Sequence, residues 1–160
     1  MSRFANLADA GEQLVPLVGE RVNEWTQPRI LAIMPNGVPV AEPLADALSI
    51  PLIPAPLDRA GDPAAGVLPA LDGCTAVVVD DGVETGTAAR LVGEAARAAG
   101  AVHVVLAVPV CPREAQPTTK RVYDEVIALD QPLVRRDLRW HYVDFDTIDE
   151  AEARRRLDAR

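Results

Sequence analysis

The chain has 160 residues, 49% of them hydrophobic and 25% charged, with 24 acidic against 16 basic side chains and a formal net charge of −8. That length holds one compact domain over residues 1–160 and is too short for two ordinary ones, and the composition excludes general disorder. The acidic balance leaves no broad cationic surface for a nucleic-acid backbone, and no apolar run approaches the ~20 residues that cross a bilayer, which disfavours nucleic-acid and membrane partners.

In chain order, Leu7, Ala10, Leu14, Leu17, Val18 and Val22 recur near helical spacing and predict an amphipathic cover helix that Pro16 kinks or restarts. Ile30 to Met34 reads as a buried strand. Pro35-Asn36-Gly37 breaks it, and a helix follows from Val38 to Leu48, with Pro39 tolerated in its first turn. Pro51 to Pro54 is a short strand, whereas residues 55–72 are rich in Pro, Gly, Ala and Asp and read as a surface connection without an element. Thr75 to Val79 has the apolar, β-branched character of a parallel strand covered on both faces. The next helix runs from Thr87 to Ala99 and closes on Gly100, where a left-handed cap is favoured.

Val102 to Val108 is the next buried strand. Three prolines within residues 109–119 predict a loop, followed by one helical turn at Lys120 to Tyr123 and a last strand at Glu125 to Leu129. Trp140 to Asp146 alternates aromatic with polar residues ahead of a charged helix starting near Thr147 or Asp149. Strands alternating with helices predict an α/β fold, a doubly wound and mainly parallel sheet with helices on both faces.

The chemistry gathers after the Thr75 strand. Asp80 and Asp81 stand where ligands collect in open α/β sheets, and paired carboxylates accept hydrogen bonds from vicinal hydroxyls. The hydroxyls of Thr85 and Thr87, the amides of Thr85 to Ala88 and the positive end of the following helix suit a phosphate, which Gly86 lets the backbone approach closely. Glu84 lies within the same loop. Cys74 and Cys111 lack a Cys-x-x-Cys spacing and His103 and His141 have no partner at metal-ligand intervals, so a structural zinc site is not expected and both cysteines read as small buried residues. The N-terminus shows no cationic, apolar leader pattern, which makes the cytoplasm the expected location.

The stretch Ala76 to Thr87 resembles the signature of the type I phosphoribosyltransferases: four apolar residues, two acids, a short variable run, then Thr-Gly-x-Thr or a close variant. Residues Ile30 to Ala41 look like the first strand and pyrophosphate loop of a bacterial subgroup of that family, and Phe4 with Ala10-Gly11 and Asp144-Phe145 with Asp149-Glu150 look like its opening and closing segments. The resemblance implies that Asp80 and Asp81 hold the ribose hydroxyls of phosphoribosyl pyrophosphate (PRPP) or of a nucleotide. It makes Glu84, Thr85, Gly86, Thr87 and Ala88 the 5′-phosphate loop and Pro35, Asn36 and Gly37 the pyrophosphate loop. It also implies Mg²⁺ bridged by the ligand, with no protein metal ligand assigned, and transfer of the phosphoribosyl group to an unnamed acceptor.

Two departures from the subgroup bear on activity. Asn36 stands where its loop usually carries arginine, and only residues 54–73 fill the interval that usually holds a flexible loop and hood, with Arg59 the lone cation there. These departures favour the alternative of a binding-only regulatory domain that has lost the catalytic hood. A receiver domain would require phosphorylation machinery on later strands, and Lys120 is the sole lysine; the Gly-x-Gly-x-x-Gly of a dinucleotide fold is absent. The sequence leaves the oligomeric state open, a homodimer among the arrangements it allows.

Overall fold

A computed structural model describes residues 3–160. Five strands, β1 (Pro28–Ile33), β2 (Leu52–Ala55), β5 (Thr75–Val79), β6 (His103–Val110) and β7 (Glu125–Asp130), form one sheet in the order β2-β1-β5-β6-β7, and every neighbouring pair is parallel. The strands expected at Ile30, Thr75, Val102 and Glu125 therefore share one parallel sheet. Side chains on a strand point alternately to its two faces, and the core divides accordingly. Val77, Val79, Val105 and Ala107 pack with α1 (Leu7–Gly19) and α2 (Gly37–Leu48); Ala76, Val78, Val104, Leu106 and Val108 pack with α3 (Thr87–Ala98) and α4 (Gln116–Val122). A last helix, α5 (Glu150–Asp158), adds Ala153 to the first layer. Both cysteines are free and buried.

Two readings of the connections are corrected. Residues 55–72 are not featureless, because β3 (Leu57–Asp58) and β4 (Ala64–Ala65) pair antiparallel in a small hairpin. Residues 109–119 are not mostly loop either. A 3₁₀ turn at Arg113–Ala115 leads directly into α4, which reaches back to Gln116, because Pro117 occupies the first turn, where a missing N–H removes no helical bond. Pro16 does not stop α1 at once; the helix runs on to Gly19 and the Pro16 carbonyl accepts from Glu20 N at 3.1 Å.

The segment before α1 runs against the segment before α5. Phe4 pairs with Tyr142 as an isolated parallel bridge, and Asp149 caps α5 by accepting from Glu152 N at 2.8 Å. No helix among the described residues is long and apolar enough to cross a membrane.

Helices α1 and α2 meet across Gly11, where an added Cβ would run into the Val40 carbonyl and press on Pro43 Cγ. The obstacle is backbone, so it cannot rotate aside. Gly11→Ala should destabilise the fold by about 1–3 kcal/mol through overpacking, which thermal unfolding would register as a fall of roughly 2–12 °C in Tm. An unchanged Tm would contradict this helix contact.

Candidate active site

Topology alone brings the predicted segments together. The chain leaves β1 toward β2 on one side and returns at β5 on the other, which makes the β1/β5 boundary the switch point where open parallel sheets bind ligands. The register pairs Ala32 with Val79 and Ile33 with Ala55, so residues following β1, β2 and β5 emerge side by side. Pro35, Asn36, Asp80, Asp81, Glu84, Thr85, Gly86, Thr87 and Ala88 line one cavity of about 380 Å³, with Leu57, Arg59, Pro63 and Leu138 among its other walls. Gly37 lies beneath rather than on that wall. It is buried, and a Cβ there would stand 2.6 Å from Val79 O, so glycine lets the start of α2 settle against the end of β5.

At the floor, Asp81 is 8% exposed and Asp80 is half-buried, with Asp80 Oδ1 accepting from Asp81 N at 2.8 Å. Burial pushes both carboxyls up. Asp80 rises well above the usual carboxylate range, through desolvation and then through the neighbouring Asp81 charge. Asp81 rises to about 6, chiefly by desolvation. The Arg59 charge opposes the rise at both residues. The pair is thus inclined to keep a proton in the free protein and to release it when donors or a cation arrive.

Past the acids, Gly82 (φ +149°) turns the chain in a conformation that suits glycine, with Leu138 packed where a side chain would project. Gly86 (φ +91°) occupies the N-cap of α3 with no side-chain cap bond. Thr85 Oγ1 lies 3.2 Å from Thr87 Oγ1 and 3.4 Å from Thr87 N, and no acceptor among the described residues takes the amides of Ala88 and Ala89. Two hydroxyls and unpaired first-turn amides at a positive helix end are an arrangement that suits a phosphate. Glu84 is exposed at its rim, and its Oε1 accepts from Leu138 N at 3.3 Å.

The C-terminal segment braces the site from outside, a role with no signal in the sequence. Tyr142 Oη donates to Asp81 O at 2.6 Å, and Ile148 N donates to Asn36 Oδ1 at 2.9 Å. Tyr142 stacks on Phe145 and packs on Phe4, while the guanidinium groups of Arg3 and Arg136 lie over the Trp140 ring, so these aromatics serve packing. Arg90 pairs with Glu94 one turn along α3, and the arginines of α5 pair along their own helix with Glu150 and Glu152. Arg59 also lines the cavity, and no role follows for it from the sequence. Its Nη2 donates to Met34 O at 3.3 Å, and its only signal was its isolation as a cation between β2 and β5.

The family model described as the phosphoribosyl transferase domain matches residues 12–134, which span β1 through β7 and both loops of the cavity. The chain belongs to the phosphoribosyl transferase domain family. Over 62 residues it is 45% identical to Rv0571c of Mycobacterium tuberculosis, a protein that carries a provisional phosphoribosyl transferase name; the match covers 39% of this chain and 14% of that protein's length. Among solved structures, TT1426 from Thermus thermophilus shares the fold at a TM-score of 0.84 and 22% identity, with 97% of each chain covered. The purine phosphoribosyltransferase of Pyrococcus horikoshii shares it at 0.57 and 20% identity, over 88% of this chain and 93% of that one. The orotate phosphoribosyltransferase of Aeropyrum pernix gives 0.60 and 25%, over 76% and 69%.

Proposed function

We propose that the chain binds PRPP or a ribose 5-phosphate nucleotide in this cavity and transfers the phosphoribosyl group to an acceptor with release of pyrophosphate. The observation that carries the reading is the shared cavity. A carboxylate pair lies between a Thr-Gly-Thr phosphate cradle on one side and the Pro35-Asn36 loop on the other, within about 380 Å³. Under this reading the ribose 2′- and 3′-hydroxyls donate to Asp80 and Asp81, and the 5′-phosphate accepts from Thr85, Thr87 and the first-turn amides of α3. The pyrophosphate lies against the backbone of Pro35 and Asn36. The acceptor attacks C1 as pyrophosphate leaves, and a carboxylate beneath the ring stabilises the positive charge that develops there.

Mg²⁺ fits this donor set only as an ion shared with the ligand. No group of three or more His, Cys, Asp or Glu among the described residues could hold a metal, whereas two adjacent carboxylates beside a phosphate ligand suit a hard cation that keeps its waters. When bound it would neutralise pyrophosphate charge. The β3–β4 hairpin has two residues per strand and brings Leu57, Arg59 and Pro63 to the cavity; a site without a longer hood admits water and holds reacting atoms less firmly, so slow turnover is expected.

The test has two readouts on the full chain: binding of PRPP and nucleoside monophosphates by calorimetry, and Mg²⁺-dependent pyrophosphate release across purine, pyrimidine and pyridine acceptors. Release above a no-enzyme control is the expected outcome. PRPP binding with no release from any acceptor would replace the transferase reading with a regulatory binding domain, and absence of binding would reject both.

A further inference from the structure

The cavity's charge is lopsided. Asp80, Asp81 and Glu84 contribute three acidic side chains to its lining, and Arg59 is the one cation among the described residues that line it. The Pro35-Asn36-Gly37 loop has no charge of its own, and the Asn36 side chain is tied back through Oδ1 to Ile148 N. A ligand group with several negative charges at this loop would otherwise meet only backbone dipoles, the neutral Asn36 amide and carboxylates, none of which carries positive charge.

Arg59 is carried to that place by the β3–β4 hairpin. It follows Leu57–Asp58 directly, and Asp58 Oδ1 accepts from Ala60 N at 2.9 Å, fixing the turn on which Arg59 stands. One guanidinium nitrogen donates to Met34 O, the carbonyl immediately before Pro35. A guanidinium has five N–H donors in a planar fork, so this anchor leaves a paired edge for phosphoryl oxygens. The anchor lies on the β1 side of the acids, whereas the Thr85-Gly86-Thr87 cradle lies at the start of α3.

Resting on the phosphoribosyl reading above, we propose that Arg59 is the pyrophosphate-holding residue of this site and supplies the charge that the Pro35-Asn36-Gly37 loop lacks. In the transfer step the C1–O bond to pyrophosphate breaks and its electron pair leaves with the pyrophosphate oxygen. The acceptor's lone pair forms the new bond to C1, and the acceptor's proton passes to solvent. Arg59 meets the charge gained by the leaving group, and it also holds the pyrophosphate in the ground state. Its removal should therefore raise KM for PRPP as well as lower kcat.

The test compares wild type, Arg59→Ala and Arg59→Lys for three probes in the presence of Mg²⁺: inorganic pyrophosphate, PRPP and a nucleoside monophosphate. Arg59 is exposed at the tip of a hairpin, so neither variant threatens the core. Arg59→Ala should weaken pyrophosphate and PRPP about 10- to 100-fold while the monophosphate changes less than about twofold, and Arg59→Lys should recover part of the loss. Equal losses for PRPP and the monophosphate would make Arg59 a support for the carboxylates and overturn the assignment, as would unchanged affinity for all three. Arg59-dependent pyrophosphate binding without binding of either ribose compound would keep Arg59 and reject the phosphoribosyl reading. A wild-type chain that binds none of the probes would reject both.

Discussion

Asp81→Asn should lower Mg²⁺-dependent pyrophosphate release by about two to three orders of magnitude and make the folded chain more stable above neutral pH. The same applies in direction to Asp80→Asn. Under the proposed function the two effects share one cause, since carboxylates desolvated to face a ligand cost the free protein stability. The Asp81 carboxyl rises from 3.8 to about 6 in the fold, so the folded state favours the neutral acid. Its contribution is fully present below about 3.8, is lost as pH climbs toward about 6, and above that the buried charge costs about 3 kcal/mol relative to the unfolded chain. An amide of the same shape has no such charge. Urea unfolding of wild type and Asp81→Asn should therefore converge near pH 4 and separate by up to that amount at pH 8, the variant being the more stable. Destabilisation of the variant at pH 8 would mean that the carboxylate is a structural anchor. Ligand binding by the wild type should also release protons near pH 6, a release that calorimetry in buffers of different ionisation enthalpy would detect and that Asp81→Asn should reduce.

Much of this site could be read from the residues because it is local. Asp80 through Ala88 form one βα turn whose glycine, hydroxyls and strand signal fall within a few positions of each other, and the end of α3 at Gly100 (φ +106°) follows from the same short-range rules. The elements that were missed are those in which tertiary contact outweighs local pattern. Strands of two residues, such as Leu57–Asp58 and Ala64–Ala65, are too short to show alternation. Pro117 looks like a helix breaker until its place in the first turn of α4 is known. The bonds from Tyr142 to Asp81 and from Ile148 to Asn36 join residues 61 and 112 positions apart, and nothing near either partner announces them. Asn36 illustrates the difference: the sequence presents it as a pyrophosphate-loop residue where arginine is usual, and the fold adds that its carbonyl oxygen ties the loop to the C-terminal segment.

Replacing both Thr85 and Thr87 with Ala should weaken PRPP and nucleoside monophosphate binding without weakening the fold. Each hydroxyl offered to a phosphate is worth about 1.5–3 kcal/mol when shielded, but Thr85 is exposed and the two hydroxyls lie 3.2 Å apart. Neighbouring groups on one ligand couple, so their losses do not add fully. Single variants should therefore lose roughly 5- to 30-fold in affinity, and the double variant roughly 10- to 300-fold, less than the product of the singles. Stability should hold because the α3 N-cap is Gly86, which makes no side-chain cap bond, and neither threonine hydroxyl takes over that role beyond a long 3.4 Å contact within the loop. Alanine at Thr87 is also the better helix former. Thermal unfolding should shift by no more than about 0.5 kcal/mol, and binding of inorganic pyrophosphate should be unaffected, because its proposed place is on the β1 side of the acids. Unchanged affinity for both ribose compounds in the double variant would reject the loop as the 5′-phosphate site. A parallel loss of pyrophosphate binding would mean that the cradle and the Pro35-Asn36 loop act as a single anion site.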